Sequence, residues 1–230
     1  MLFDLHTHSK YSIDALSKPE TMLKICKKNN WGISITDHDN MNVYSRGNVK
    51  KIAKKLDVFL IPGEEIRVLE NNGGDSKCVG EIIVYFLKEE IKPSTFKDIL
   101  VEIKKQDALL SCPHPFDWPR KNFKDFKNNW KEFNSMEVYN ARAYYAGLNK
   151  KSQFFFNTIF KEKKISALGV SDAHTPEEIG NGLTDISANN EEEFRRAIKK
   201  GNTKIIINNK AKIWHHIQTQ LARKNMIKER

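Results

Sequence analysis

The N-terminal stretch Met1-Leu-Phe-Asp-Leu-His-Thr-His-Ser9 constrains this chain more than any other. A short apolar run ends in two histidines spaced i, i+2. In an extended strand that spacing projects His6 and His8 from the same face, as a metal site requires. A single H-x-H also occurs on ordinary polar surfaces, so its weight comes from recurrence. Four later segments likewise run from an apolar stretch into His, Asp or Glu: Ile33-Ser-Ile-Thr-Asp37-His38-Asp39, Phe59-Leu-Ile-Pro-Gly63-Glu64-Glu65, Leu109-Leu-Ser-Cys-Pro-His114-Pro and Ala167-Leu-Gly-Val-Ser-Asp172-Ala-His174. Of the seven histidines, five (His6, His8, His38, His114 and His174) stand at such ends.

The pattern alternates strand and helix with short connections, which argues for a parallel α/β architecture. Expected strands are Leu2–His6, Gly32–Thr36, Val58–Pro62, Glu81–Phe86, Ala108–Cys112, Ser135–Tyr139 and Ser166–Val170. Apolar spacing of i, i+3/i+4 predicts helices over Pro19–Lys28, Val43–Lys55, Thr95–Lys105, Lys124–Phe133 and Tyr145–Glu162. Glu70–Ser76 is polar and turn-rich, an exposed loop. Seven strands with chemistry at their C-terminal ends describe a (β/α) barrel, whose active site sits at that face. At 230 residues the chain suits one such domain. The motif-bearing barrel would occupy about 1–185, and an extension over about 186–230 would pack on it: a helix at Glu191–Lys200, a strand at Lys204–Ile207 and a basic helix from Ala211.

Asp4-Leu-His-Thr-His-Ser-x-Tyr-Ser12, Thr36-Asp-His-Asp39, Pro62-Gly-Glu-Glu65, Cys112-Pro-His-Pro115 and Ser171-Asp-Ala-His174 resemble, in order, the successive motifs of the PHP (polymerase and histidinol phosphatase) family of metal-dependent phosphoesterases. The resemblance implies a distorted seven-stranded, TIM-like (β/α)7 barrel. It implies that His6 and His8 bind a first metal, bridged by Glu65 and completed by Asp172. Asp14, His38 and His174 would surround a second metal, and His114 would belong to a third. Trinuclear members carry a further histidine on the fourth strand, whereas here the stretch reads Gly80-Glu-Ile-Ile-Val-Tyr-Phe86. The third site is therefore expected to be weak. Glu81 is its nearest carboxylate in sequence, and the register, which the loop at Asn71–Ser76 leaves open, decides whether strand alternation turns that side chain away.

Histidine and carboxylate without paired cysteines suit Mn²⁺, Zn²⁺ or Fe²⁺ in a hydrolytic site. Two or three such ions, held with His6, His8, Glu65 and Asp172 among their ligands, would lower the pKa of a water and so supply the nucleophile for attack on phosphorus. Arg142 follows the sixth strand and is a candidate phosphate grip, since a guanidinium binds phosphate bidentately. Arg67 is placed similarly, with an ordinary surface role as the equal alternative. Ser9 and Tyr11 are candidate substrate contacts; no oxyanion-hole or nucleophile-elbow signature accompanies Ser9. Asp4, Asp37 and Asp39 flank ligands, either orienting imidazoles or bracing turns. Phe116, Trp118 and Trp130 surround the His114 loop and are expected to pack beneath it rather than stack a base. His215 and His216, outside any motif, are expected at the surface.

No apolar run approaches the ~18 residues of a membrane span. The three cysteines show no framework spacing, and the N-terminus reads directly into a strand, which together predict a reduced, cytoplasmic protein. Basic residues exceed acidic by 39 to 29, and from Glu191 to Arg230 eleven Lys/Arg face four Glu. Such a field attracts phosphates or nucleic acid; a Lys-rich solvated surface is the alternative. The leading functional expectation is hydrolysis of a phosphomonoester, either a small metabolite or a nucleotide. The alternatives are a nuclease acting on RNA or DNA ends, and a non-catalytic RNA-binding subunit, which would have eroded the ligands that this chain retains.

Overall fold

The seven expected barrel strands and the expected Lys204–Ile207 strand all form, and two short ones join them. In the computed structural model, residues 1–118, 120–143, 145–160 and 165–228 are described, with backbone only for Ala146 and 225–228. The strands are β1 (Leu2–Asp4), β2 (Trp31–Ile35), β3 (Leu60–Leu69), β4 (Cys78–Tyr85), β5 (Ser94–Thr95), β6 (Leu109–Cys112), β7 (Ser135–Asn140), β8 (Ser166–Val170), β9 (Gly182–Asp185) and β10 (Lys204–Ile207). They run in the order β10-β9-β1-β2-β3-β4-β6-β7-β8, with β5 on β3. Beyond the strand ends Thr7 bridges Ala173, and His8 N donates to Ala173 O at 2.7 Å. That contact draws the β1 and β8 ends together, so the sheet nearly closes into a barrel.

The expectation of parallel pairing needs correction at β4 and beside β1, where β9 pairs antiparallel with both β1 and β10. β1–β2–β3 and β6–β7–β8 are parallel, but β4 runs antiparallel between β3 and β6. The connection from β3 to β4 is only the exposed Glu70–Lys77 turn, too short for a parallel crossover. As a result the N-terminal half of β4, not its C-terminal end, lies at the barrel face where the other strands finish.

The helices are α1 (Pro19–Asn29), α2 (Asn42–Ser45), α3 (Val49–Leu56), α4 (Phe96–Gln106), α5 (Phe126–Asn129), α6 (Ala146–Phe155), α7 (Glu191–Lys200) and α8 (Ile213–Lys228). α1 begins on Pro19 with Glu20 in its first turn and ends with Lys27 and Lys28, a charge order that matches the helix dipole. It buries Met22, Leu23 and Cys26 against Ile33 and Ile35 of β2. Fully burying such an apolar side chain contributes about 1.5–3 kcal/mol. The single helix expected over Val43–Lys55 is broken into α2 and α3 around Asn48, whose φ is +52°. The last two residues of the helix expected over Tyr145–Glu162 lie outside the described residues.

The C-terminal segment is tied to the barrel's upper face. β10 pairs with β9. Asn208 N and Asn209 N both donate to Asn181 O at 3.0 Å, Tyr139 Oη donates to Asn209 O at 2.9 Å, and Ala211 N donates to Ala141 O at 3.0 Å. These bonds fix where α8 starts. Among the described residues no helix is long and apolar enough to cross a membrane.

Candidate metal centre

The strand ends bring the motif side chains together in three groups with ligand atoms within 4.8 Å of one another: His6, His8 and Asp172; His8, His38 and His174; and Glu65, Glu81 and His114. Glu65 stands between them. Its Oε2 lies 3.2 Å from His6 Nε2, 3.3 Å from His8 Nε2 and 3.1 Å from His38 Nδ1, while its Oε1 lies 3.2 Å from His114 Nε2. Asp14 lies 3.7 Å from His38 Nε2 and 3.5 Å from His174 Nε2, beside the second group. Asp172 Oδ1 is 3.6 Å from both His6 Nε2 and His8 Nε2.

The imidazoles are oriented from behind. Glu137 Oε1 lies 2.6 Å from His6 Nδ1. A carboxylate accepts, so Nδ1 carries the proton and Nε2 is left facing the cluster. His174 Nδ1 likewise donates to Asp172 O at 2.9 Å. The second oxygen of Glu137 accepts from His114 N and from Asn140 Nδ2, both at 2.8 Å. Both His114 (φ +28°) and Asp172 (φ +55°) have left-handed backbones. That conformation is uncommon for side-chain-bearing residues, and here these hydrogen bonds hold it.

The electrostatics suit cations. Burial, with the neighbouring His174 and His38, pushes His8 down to about 3, so its ring stays neutral and able to ligate. Burial alone would lower His6, but the carboxylates of Asp172, Glu65 and Glu137 outweigh it and hold His6 well above its usual value. Burial and the charge of Glu65 raise Glu81. Buried carboxylates crowded on imidazole nitrogens, His6 Nε2 and His8 Nε2 only 3.0 Å apart, form a donor set that divalent ions would satisfy by displacing protons. The residues fit the metals that the motifs imply.

The other candidates are placed as follows. Tyr11 lines the cavity above the cluster. Ser9 is fully buried, and both its N and Oγ donate to Asp37 at 2.6 Å, which turns it from the cavity. Asp39 accepts from Arg67 N at 2.8 Å and from Arg67 Nε. Asp4 accepts from Ser171 N and Gly180 N at 3.1 and 2.8 Å. Asp4, Asp37 and Asp39 thus brace turns, and the orienting carboxylate is Glu137. Arg142 lines the cavity, but its Nη1 donates to Glu178 at 2.9 Å and its Nη2 to Thr219 at 3.0 Å. Trp118 is not packed beneath its loop: it is 70% exposed and stacked on Tyr145.

Residues 4–154 match the family described as the PHP domain, and residues 157–203 match the one described as PHP-associated. The chain belongs to the PHP family. The motifs read above are those of a family of metal-dependent phosphoesterases. An uncharacterized protein of Methanocaldococcus jannaschii is 31% identical over 201 residues, covering 84% of this chain and 73% of that protein. Among solved structures, a two-domain protein from Bacteroides vulgatus containing a predicted PHP-like metal-dependent phosphoesterase matches with a TM-score of 0.67 at 22% identity, over 90% of this chain. The chain spans 65% of that protein's length. The lesion-specific endonuclease PfuEndoQ from Pyrococcus furiosus matches with a TM-score of 0.52 at 14% identity, over 99% of this chain and 71% of that one. At these identities the two structures share the fold.

Against the PHP motifs, Glu81 is the main correction. In the antiparallel register Glu65 pairs with Ile83 and Arg67 with Glu81. Directly paired residues share a face and alternate ones repeat it, so Glu81 points where Glu65 points. His216 is a second correction: it is half-buried, lines the cavity, and is held down to about 4 by burial and the nearby Arg142 guanidinium. Two residues were not singled out from sequence. Glu137 left a signal, an acid inside an apolar strand. Arg120, on the Pro-rich loop, left none; it reaches Asp172 through Nη1 and Asp117 Oδ2 through Nε at 2.9 Å. Its loop lies against β4 because residue 80 is glycine: a Cβ there would sit 2.4 Å from Phe123 Cα.

Proposed function

We propose that this protein hydrolyses a phosphomonoester, either a small phosphorylated metabolite or a nucleotide. The observation that carries this reading is the wall that α8 builds over the metal centre. His216, Thr219, Gln220 and Arg223 close one side of a cavity of about 690 Å³, the size of a small-molecule site. A wall of this kind suits a compact ester better than a continuous polynucleotide strand.

Divalent ions held by His6, His8, Asp14, His38, Glu65, Glu81, His114, Asp172 and His174 would polarise the phosphoryl group and activate water for attack on it; Mn²⁺, Zn²⁺ and Fe²⁺ suit these donors. The chain's own part is positioning. Glu137 fixes the tautomer of His6, and Asn140 Nδ2 donates to Asp172 Oδ2 at 3.0 Å, setting that carboxylate. Arg120 takes the phosphate-gripping role first assigned to Arg142, because its buried Nη2 has no hydrogen-bond partner at the cavity wall. Arg142 instead holds α8 through Thr219.

The test is a screen of metal-stripped protein, resupplied with each of the three ions, against phosphomonoesters and against oligonucleotides with and without terminal phosphates. The proposal expects inorganic phosphate released from small esters. Release of nucleotides from oligonucleotide ends, with small esters untouched, would favour the nuclease reading, which the basic charge of the C-terminal segment supports.

A further inference from the structure

A helix on the surface of a globular domain normally turns its apolar stripe to the core and its polar face to water. α8 does the reverse. At about 100° per residue, Ile213, Trp214, Ile217 and Leu221 fall on one stripe, and they are 81%, 58%, 45% and 52% exposed. The opposite side carries His215, His216, Gln218 and Thr219, which are half-buried or buried. The orientation is held from beneath: Arg142 Nη2 donates to Thr219 Oγ1 at 3.0 Å, and Arg142 Nη1 to Glu178 Oε2 at 2.9 Å. Because the polar side is latched inward, the apolar side is left outward. Apolar residues exposed singly are ordinary, but four in register on one helix face mark a surface that something covers. Both family matches end by residue 203, so this face belongs to the chain's own extension.

The charge around the stripe restricts what can cover it. From Phe194 to Lys228 the sequence holds ten Lys/Arg and no Asp or Glu. Lys210 and Lys212 precede the stripe, and Arg223 and Lys224 follow it. All four are exposed, and among the described residues none has a carboxylate within ion-pair distance. A second copy of the chain fits badly. Antiparallel packing of α8 on its symmetry mate sets the leading cations against the trailing ones, and parallel packing sets each against itself, with no acid in the segment to pair them. Four apolar side chains also fall far short of the ~20–30 residues a side of a standard interface. A nucleic acid suits the cations but offers the aliphatic Ile213, Ile217 and Leu221 no counterpart. An anionic bilayer answers both features. The aliphatic and indole side chains enter the boundary between headgroups and acyl chains, and the flanking cations stay level with the lipid phosphates.

We infer that the outward face of α8 docks this protein on an anionic lipid surface. The helix lies in the plane of the interface, so the docking needs no membrane span. The barrel follows the helix to the surface through the Arg142 and Glu178 latch. Which ester the metal centre hydrolyses does not enter this inference.

The experiment is flotation of the full-length protein with vesicles of about one-third phosphatidylglycerol in phosphatidylcholine, and with vesicles of phosphatidylcholine alone. Wild type is compared with Ile217→Gln, Leu221→Gln, Trp214→Phe and the double variant Lys212→Gln/Lys224→Gln. All these positions are exposed, and an unchanged Tm and metal content verify each fold. Wild type should float with the anionic vesicles only. Partitioning should fall roughly ten-fold with each glutamine on the stripe, about five-fold per lysine removed, and further with added salt. The emission lost in Trp214→Phe should shift to the blue on vesicle binding and be quenched by lipids brominated high on the acyl chain. No flotation would overturn the docking. So would flotation that the lysine pair governs while the stripe glutamines leave it unchanged, since that is charge alone. If the stripe glutamines instead abolish a dimer seen in sedimentation velocity, or binding of a single-stranded oligonucleotide, while vesicles go unbound, the cover is a second copy or a nucleic acid and the bilayer is excluded.

Discussion

Glu137 Oε1 lies 2.6 Å from Nδ1 of His6, fully buried behind the metal-facing side of the ring. The same carboxylate holds the His114 main chain through its other oxygen. One side chain on β7 therefore orients residues in two of the three ligand groups.

Glu137→Gln tests that relationship. The amide keeps the size but weakens the acceptor facing Nδ1 and adds a donor. Metal affinity should fall about 10- to 100-fold, the usual cost of losing an orienting partner. Competitive chelator titration measures this. An unchanged affinity would assign Glu137 to packing alone.

Glu81 is the proposed ligand that would complete a third metal position. With Glu65 and His114 it gives that position three protein ligand atoms, where the sequence alone offered two. Metal analysis should find the third ion retained by the wild type and lost from Glu81→Gln, with the other two kept. Retention of all three ions in the variant would show that Glu81 does not ligate.

Arg120 and Arg142 separate cleanly. Arg120→Lys should lower kcat/KM by about 10²-fold, as a charge aimed at the reacting phosphate loses its fork. Arg142→Lys should mainly loosen α8, so the readout is faster proteolysis of the C-terminal segment and a lower Tm, with a smaller effect on kcat. The reverse pattern would restore the phosphate grip to Arg142.

Glu64 supplies a pH test remote from turnover. Burial pushes its carboxyl up to about 9, and among the described residues only Ile91 N donates to it, at 3.1 Å. A carboxyl raised above its unfolded value stabilises the fold below the unfolded pKa and loses that contribution as pH rises through about 9. Glu64→Gln accepts the same N–H without titrating. Its Tm advantage over wild type should grow from pH 5 to pH 9; a constant difference across that range would contradict the burial argument.

Much of this centre was legible in the chain. The i, i+2 histidines and the recurrent strand-end acids marked His6, His8, His38, Glu65, Asp172 and His174 because strand periodicity forces such residues onto one face. The direction of β4 was less visible. Its apolar run reads alike in parallel and antiparallel sheets, and with the third strand expected to end at Pro62 the short 70–77 turn that forces the reversal and brings Glu81 in was not apparent. Arg120 and His216 were hidden for another reason: a loop laid on Gly80 and a helix latched by Thr219 place them, and no local pattern encodes either contact. For Arg142, position after a strand gave no sign of Glu178, which engages its guanidinium.

The most direct test is phosphate release by metal-stripped and metal-restored protein, with His8→Ala and Asp172→Ala alongside. A substrate found with the restored wild type should be turned over neither by the stripped protein nor, within about 10²-fold, by either variant. Near-normal turnover by both variants, or activity indifferent to metal, would contradict a metal-centred phosphoesterase at these strand ends.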